Sequence, residues 1–464
     1  MSKFSVTTPI YYINDKPHIG HAYCTIAADV LARYRRQSGD DVLFLAGIDE
    51  NAQKTVNAAA AAGQGDIQKY TDAMAAEWQK TWTALGISHD RFIRTSSAEH
   101  QAAVYAFLKP VQAAGDIYKG SYEGLYCVGC EAFIKEDDLV DGKCPDHNQP
   151  PEKLKEDNYF FKLSRYQQAL LDHIKAHPEF VQPATRRHEV VAFIERGLED
   201  ISVSRSTQKW GIPWPGDKDQ VIYVWFDALI NYLTGAGYPK ASYADWWPAD
   251  VQLVGKDIIK FHCVIWPAML MSAGLPLPKT VFAHGFFTIN GTKISKSLGN
   301  AIDPLELALE YGNDAVRYYL LREFAFGGDG DFSRERFKTV YTSDLANELG
   351  NLVQRTAAMI TRYLDGQIGD VTAHSHDVGE FKAAMAELRF DRALAEIWEL
   401  VKGLNQYIDA EKPWELAKTD PPHLKEVLAH VVADLLQIVE LLLPFMPETS
   451  QKIAATFADG VVNT

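Results

Sequence analysis

The sequence predicts an α/β fold: a Rossmann-type, doubly wound parallel sheet split by a cysteine-containing insertion and followed by an α-helical bundle. Residues 1–115 alternate apolar strand patterns with amphipathic helices, the signature of parallel βαβ units. From about Ile117 the pattern changes to short aromatic strands and Gly/Asp turns, and an α/β pattern resumes near Val221. From Arg334 onward only helical periodicity remains.

In order, the first half reads as strand Phe4 to Ile10, helix Ala22 to Arg36, strand Asp41 to Gly47, helix Asp66 to Leu85, strand Arg91 to Thr95 and helix Ala98 to Ala114. Strands Val221 to Val224, Val251 to Leu253 and Thr280 to His284 complete the sheet, so residues 116–220 are read as an insertion. Helices Pro304 to Tyr311 and Ala315 to Arg322 lead to a Gly/Asp-rich turn at residues 327–331. The bundle follows with helices Phe337 to Tyr363, Val378 to Leu388, Phe390 to Gln406 and Leu424 to Leu443, punctuated by Pro413 and the Pro421-Pro422 pair. The domain boundaries expected are 1–115 and 221–290 for the two sheet halves, 116–220 for the insertion, 291–335 for a connecting region and 336–464 for the bundle.

A chain of 464 residues can bury a large core, and its apolar and charged fractions are those of an ordinary globular protein. No apolar run is long enough to span a bilayer, and the opening residues pass into a strand with a single Lys. No membrane partner and a cytoplasmic location are therefore expected. The net charge of −15 argues against non-specific nucleic-acid binding, so any RNA contact must come from local basic patches.

Five cysteines are too few and too clustered for a disulfide framework. Cys127-Val128-Gly129-Cys130 and Cys144-Pro145-Asp146-His147 form CxxC and CxxH knuckles across a turn-rich loop. Two such knuckles complete a tetrahedron around one zinc ion through Cys127, Cys130, Cys144 and His147, leaving no open position for water, so the metal is expected to be structural. Cys24 and Cys263 fall outside the cluster and read as small buried residues.

Two further motifs carry phosphate chemistry. His18-Ile19-Gly20-His21 lies where the first strand gives way to the first helix, a helix N-terminus where free N–H groups and the dipole favour phosphate oxygens. Gly20 permits close approach of a nucleotide to the backbone. Lys293-Ile294-Ser295-Lys296-Ser297 follows a Gly291-Thr292 turn, and two ammonium groups there can neutralise charge on departing pyrophosphate.

Paired in this order, the two motifs resemble the signatures of class I aminoacyl-tRNA synthetases, and the resemblance runs over nearly the whole chain. It narrows to the methionyl branch through Tyr11-Tyr12-Ile13-Asn14, Tyr223-Val224-Trp225-Phe226-Asp227-Ala228 with Tyr232, and Gly255-Lys256-Asp257-Ile258 with Phe261-His262 and Trp266-Pro267-Ala268. By matching position, Ile10, Tyr12, Asp49, Trp225, Ala228, Tyr232, Ile258 and His262 resemble the methionine pocket, with Asp49 on the substrate ammonium. Gly255 and Asp257 resemble the ribose-binding strand end, and His284 with Ile294 the adenine side. His18, Gly20, His21, Lys293 and Lys296 resemble the ATP-phosphate site, and His18, His21, Lys293 and Lys296 are its catalytic candidates. Asn351, Arg355 and Trp414 resemble anticodon-reading residues, which would make the bundle an anticodon-binding domain.

The resemblance implies ATP with Mg²⁺, methionine and tRNA(Met), including the initiator, as partners of a monomer. Aromatic walls suit a polarisable thioether, with a Tyr or His donor beside the sulfur. Isoleucyl, leucyl and valyl relatives usually carry a large editing insertion, whereas the insertion here is short and occupied by the knuckles. A small-molecule adenylating enzyme would be shorter and lack the bundle; a non-catalytic relative would be expected to have lost one signature. Departures are Gly47-Ile48-Asp49-Glu50-Asn51-Ala52 where the family reads GTDEHG, KISKS for KMSKS, and no OB-type domain appended after Thr449.

Overall fold

A computed structural model describes residues 2–130, 132–145, 148–294, 301–369, 371 and 376–463. The chain forms two compact units, one of residues 1–17 and 38–284, the other of residues 18–37 and 285–464.

The first unit is built on a six-stranded sheet in the order Arg91–Arg94, Asp41–Asp49, Lys3–Tyr12, Val251–Gly255, Thr280–His284, Val181–Gln182, with every neighbouring pair parallel. Such strands are covered on both faces and read as continuous apolar runs, as Val42 to Ile48 does. Gly47 marks a close approach: a Cβ there would lie 2.6 Å from the Ile93 carbonyl oxygen and 2.8 Å from Ile10 Cγ2. Tyr12 pairs with Asp49 and Gly255 with His284, so these four residues stand at the carboxyl ends of four consecutive strands. Ligands of doubly wound sheets bind outside those ends.

The insertion forms two antiparallel sheets. One runs Ala132–Ile134, Ile117–Cys127, Glu152–Phe161, Ile201–Ser202; the other runs Pro213–Trp214, Asp217–Ile222, Ser204–Arg205. The expected parallel strand Val221 to Val224 does not exist. Val221 and Ile222 end the antiparallel strand Asp217–Ile222, and Val224 opens the helix Val224–Leu229. A short apolar run buried on all sides has no periodicity to separate strand from helix. The last sheet strand is instead Val181–Gln182, from within the insertion, two residues that leave no sequence pattern.

The second unit contains the helix Ile19–Gln37, a small sheet in the order Thr292–Lys293, Phe287–Ile289, Gly330–Phe332, and the helices from Pro304 onward. The expected helix Phe337 to Tyr363 is three segments, Arg334–Val340, a π-helical stretch Tyr341–Gly350, and Asn351–Leu364. Among the helices that escaped the periodicity are Gln53–Ala61 in the first unit and Pro413–Thr419 and Pro447–Thr456 in the second. Each is ten residues or fewer, and the second and third begin at a Pro in the first turn, where its missing N–H costs nothing.

Asp29, wholly buried, sits mid-helix in Ile19–Gln37 and accepts Arg317 Nη2 at 2.7 Å and Arg33 Nε at 2.7 Å. Arg317, 1% exposed, also donates to the carbonyls of Phe445 at 2.8 Å and Pro444 at 2.9 Å. Removing one partner of a buried pair leaves an uncompensated charge. Arg317→Ala is expected to destabilise the protein by roughly 3–5 kcal/mol in denaturant melts, and Asp29→Asn with Arg317→Met together by less than either alone.

Candidate functional site

The candidate amino-acid site lies within the first unit, at the strand ends. Tyr12 closes the strand Lys3–Tyr12 and Asp49 its neighbour, while Trp225 and Ala228 come from the helix Val224–Leu229 and Tyr232 from Asn231–Ala236. Ile258 ends a 3-10 turn and His262 lies in the π-helical segment Phe261–Ile265. The Tyr12 ring meets Trp225 edge-on at 6.1 Å, and Trp225 stacks on Phe261 with centroids 3.6 Å apart. Ile10, two residues back on the Tyr12 strand, faces the same end of the sheet through its pairing with Gly47.

The protons at the far end of this cluster can be placed. His262 Nδ1 lies 3.0 Å from the Ile258 carbonyl, which only accepts, so Nδ1 carries the proton and Nε2 accepts from the Tyr232 hydroxyl at 2.7 Å. Burial lowers the His262 pKa to about 4, so the ring is neutral at pH 7. Both hydrogen-bond donors are therefore spent within the protein. The donor expected beside a thioether sulfur is committed elsewhere, and aromatic faces are what the cluster offers.

Asp49 supplies a carboxylate at the strand end. Its Oδ1 accepts the Asn51 backbone N–H at 3.2 Å and the Thr95 hydroxyl at 3.3 Å. Two residues that the sequence reading did not assign to the pocket also join the cluster. Phe261 forms the stack on Trp225, and Lys54 sits over the Tyr12 ring at 3.8 Å while donating to the Gly129 carbonyl at 3.0 Å. Lys54 belongs to the helix Gln53–Ala61, whose Ala52 cap makes no side-chain hydrogen bond, so no capping signal announced it.

Gly129 and Cys130 also form the metal knuckle. The ligand atoms of Cys127, Cys130 and Cys144 lie within 4.8 Å of one another, and the Cys130 N–H points at Cys127 Sγ at 3.5 Å. Three soft thiols on a tight turn fit a thiophilic metal ion, whose charge would hold them as thiolates. His147 lies outside the described residues. The Cys130 carbonyl accepts Trp225 Nε1 at 3.4 Å, so the knuckle touches the aromatic cluster through its Gly129 and Cys130 carbonyls. Cys24 and Cys263 are buried away from it, as expected, and burial raises the Cys263 thiol.

Gly255, paired with His284, closes its strand; Asp257 is exposed on the 3-10 turn Lys256–Ile258 that follows, and His284 is buried.

In the second unit, His18 precedes and His21 falls within the first turn of the helix Ile19–Gln37. The backbone sets both tautomers. Gly20 N–H donates to His18 Nδ1 at 3.1 Å and His18 N–H donates to His21 Nδ1 at 3.1 Å, so each imidazole carries its proton on Nε2. The rings stack at 3.7 Å; burial lowers His18 to about 4 and His21 well below its ordinary value, with His18 adding repulsion. Both are neutral donors, not cations. The helix-terminus expectation needs correcting: Ile19 N–H is taken by the Ile302 carbonyl, Gly20 N–H by His18 Nδ1 and His21 N–H by the His18 carbonyl. The backbone N–H groups of this turn are thus taken within the protein. A Cβ on Gly20 would press the His18 ring at 3.0 Å and approach Ile294 at 3.9 Å.

The lysine loop begins at an Asn290-Gly291 turn, both with positive φ, rather than at Gly291-Thr292. Gly291 N–H and the Thr288 hydroxyl both donate to Asp331. Lys293 ends the strand Thr292–Lys293, paired with Thr288; its side chain and all of Ser295, Lys296 and Ser297 lie outside the described residues.

Asn351 and Arg355 share a face of Asn351–Leu364, one turn apart. Arg355 is tied to the helix Phe390–Glu411 through Asp409 and Asn405, each at 2.9 Å, whereas Asn351 is exposed. Lys412, at φ 47°, ends that long helix, and Pro413 starts the next, leaving Trp414 40% exposed. Its ring is not core.

A profile of the family described as tRNA synthetases class I (M) matches residues 4–153 and 147–357. The methionine–tRNA ligase of Thermotoga maritima is 47% identical, covering 97% of this chain and 74% of that protein; the Streptomyces coelicolor ligase is 46% identical, covering 97% and 88%. The solved Mycobacterium tuberculosis methionyl-tRNA synthetase in complex with methionyl-adenylate matches with a TM-score of 0.93 at 42% identity, covering 98% of this chain and 93% of that one. The chain belongs to the class I methionyl-tRNA synthetases.

Proposed function

We propose that the chain ligates methionine to tRNA(Met), initiator included, in two steps. The methionine carboxylate attacks the α-phosphorus of ATP in line, expelling pyrophosphate; the terminal ribose hydroxyl of tRNA then attacks the acyl carbon, expelling AMP. No protein nucleophile is required, because positioning and electrostatics carry the chemistry. Mg²⁺ arriving with ATP offsets phosphate charge.

Asp49 binds the substrate ammonium, and the Tyr12, Trp225, Ala228, Tyr232, Ile258, His262 and Ile10 surfaces take the thioether. His18 and His21 donate Nε2–H to phosphate oxygens, Gly20 permits their approach, and Lys293 and Lys296 supply positive charge as pyrophosphate departs. Gly255 and Asp257 hold the ribose, with His284 and Ile294 on the adenine side. Asn351, Arg355 and Trp414 read the anticodon, whose single-stranded bases suit stacking and Arg or Asn hydrogen bonds. Cys127, Cys130, Cys144 and His147 hold one structural zinc ion.

The supporting observation is the Tyr232–His262 pair. Its hydrogen-bond donors are satisfied within the protein, so the pair offers no donor to an amide or hydroxyl side chain at this end of the cluster, while a thioether loses nothing. Pyrophosphate exchange measured with each of the twenty amino acids is therefore expected to respond to methionine alone; strong exchange with isoleucine, leucine or glutamine would overturn the assignment.

Trp414→Ala is expected to lower tRNA charging by roughly 10- to 100-fold and to spare methionine-dependent exchange, since stacking on one base is worth about 1–3 kcal/mol. A folded variant that charges normally would remove Trp414 from the anticodon site. Elemental analysis is expected to find one zinc per chain, lost in Cys127→Ser. Because the knuckle carbonyls hold Trp225 and Lys54, that variant should also raise the methionine KM more than the ATP KM.

A further inference from the structure

The Asn51 position, where the chain departs from its family pattern, is buried; its carbonyl accepts Gln208 Nε2 at 2.8 Å, and three further polar contacts lie around the candidate ammonium subsite. Its backbone N–H donates to Asp49 Oδ1 at 3.2 Å. Its side-chain Nδ2 donates to Asp227 Oδ2 at 2.7 Å and to the Thr95 carbonyl at 3.2 Å. The Thr95 carbonyl only accepts, so a flipped amide would set oxygen against oxygen there, and the orientation is unique. Thr95 closes the circuit by donating its hydroxyl to Asp49.

We infer that Asn51 is a positioning residue for the ammonium subsite, holding the Asp227 carboxyl back and the Asp49 carboxylate forward so that Asp49 alone meets the substrate ammonium. The inference rests on the reading of Asp49 given above. Asp227 is wholly buried, and burial together with the nearby Asp49 charge raises its pKa well above the usual carboxylate range. Both causes favour its neutral form. A neutral amide satisfies its acceptor oxygen without adding a charge beside Asp49. The other titratable groups facing this circuit are already settled: Glu50 pairs with Arg94 at 2.8 Å, and burial lowers His100 to about 4.

Asn51→Asp keeps the shape, removes the donor and adds a carboxyl. It is expected to raise the methionine KM in pyrophosphate exchange at about pH 8 by at least about tenfold, with the ATP KM within about twofold. The rise should shrink toward about pH 6, because the introduced carboxyl can donate again once it is protonated; the wild type should show no such trend. Binding of 4-(methylthio)butanoate, which lacks the ammonium, should be unchanged. Asn51→His retains an N–H donor and should recover most of the loss.

An unchanged methionine KM in folded Asn51→Asp, or equal weakening of ATP or of the desamino analogue, would overturn the inference. So would failure of both Asn51→Asp and Asn51→Ser to fold, which would assign the residue to stability alone. Asp49→Asn separates the two readings. If it weakens methionine while Asn51→Asp does not, only this inference falls; if Asp49→Asn leaves methionine untouched, the ammonium reading itself is wrong.

Discussion

Asp29 is the charge around which the second unit is arranged. A carboxylate with no exposed surface cannot be left unpaired, and the two guanidinium groups that reach it come from its own helix and from Asn313–Arg322. Arg317 continues past it to the carbonyls of Pro444 and Phe445, just beyond the end of the helix Pro421–Leu442. Gln37, the last residue of Ile19–Gln37, reaches the Glu440 carbonyl at 2.9 Å. These contacts fix the helix Ile19–Gln37 within its unit. They thereby fix where its first turn, with the His18 and His21 edges, is presented.

Burial then decides which groups carry charge. His18, His21 and His262 are held neutral by desolvation, and the backbone or a neighbouring carbonyl dictates which ring nitrogen keeps the proton. Hydrogen-bond direction is consequently built into the fold at each ring. The same desolvation, with the Asp49 charge nearby, raises the Asp227 pKa well above the usual carboxylate range. Each buried group held neutral in this way needs no counter-ion of its own.

Motifs with fixed spacing were legible in the sequence because their residue types report chemistry directly. The three described cysteines converge, the His18–His21 pair opens its helix, and the strand ends bring Tyr12, Asp49, Gly255 and His284 to one edge of the sheet. Illegible features were those set by long-range contacts or by too few residues. Val181–Gln182 joins the sheet from the insertion with two residues, and Val224 to Leu229 is apolar on nearly every side, so neither periodicity nor propensity could assign it. The orphan N–H groups expected at the His-Ile-Gly-His turn were unreadable for another reason: their acceptors include Ile302, far away in sequence.

The knuckle shows how a contact invisible to sequence gives a legible motif its function. CxxC spacing announces a metal turn, and nothing in it announces a partner. Yet the two residues at the tip of that turn, Gly129 and Cys130, turn their carbonyls to Lys54 and Trp225, and these in turn pack on Tyr12 and Phe261. A carbonyl accepts well only if its peptide plane is held still. A metal ion bound by Cys127 and Cys130 would hold the Gly129 peptide between them still, whereas a free surface loop would not. Such an ion would thereby stiffen the backbone that orients Lys54 and Trp225.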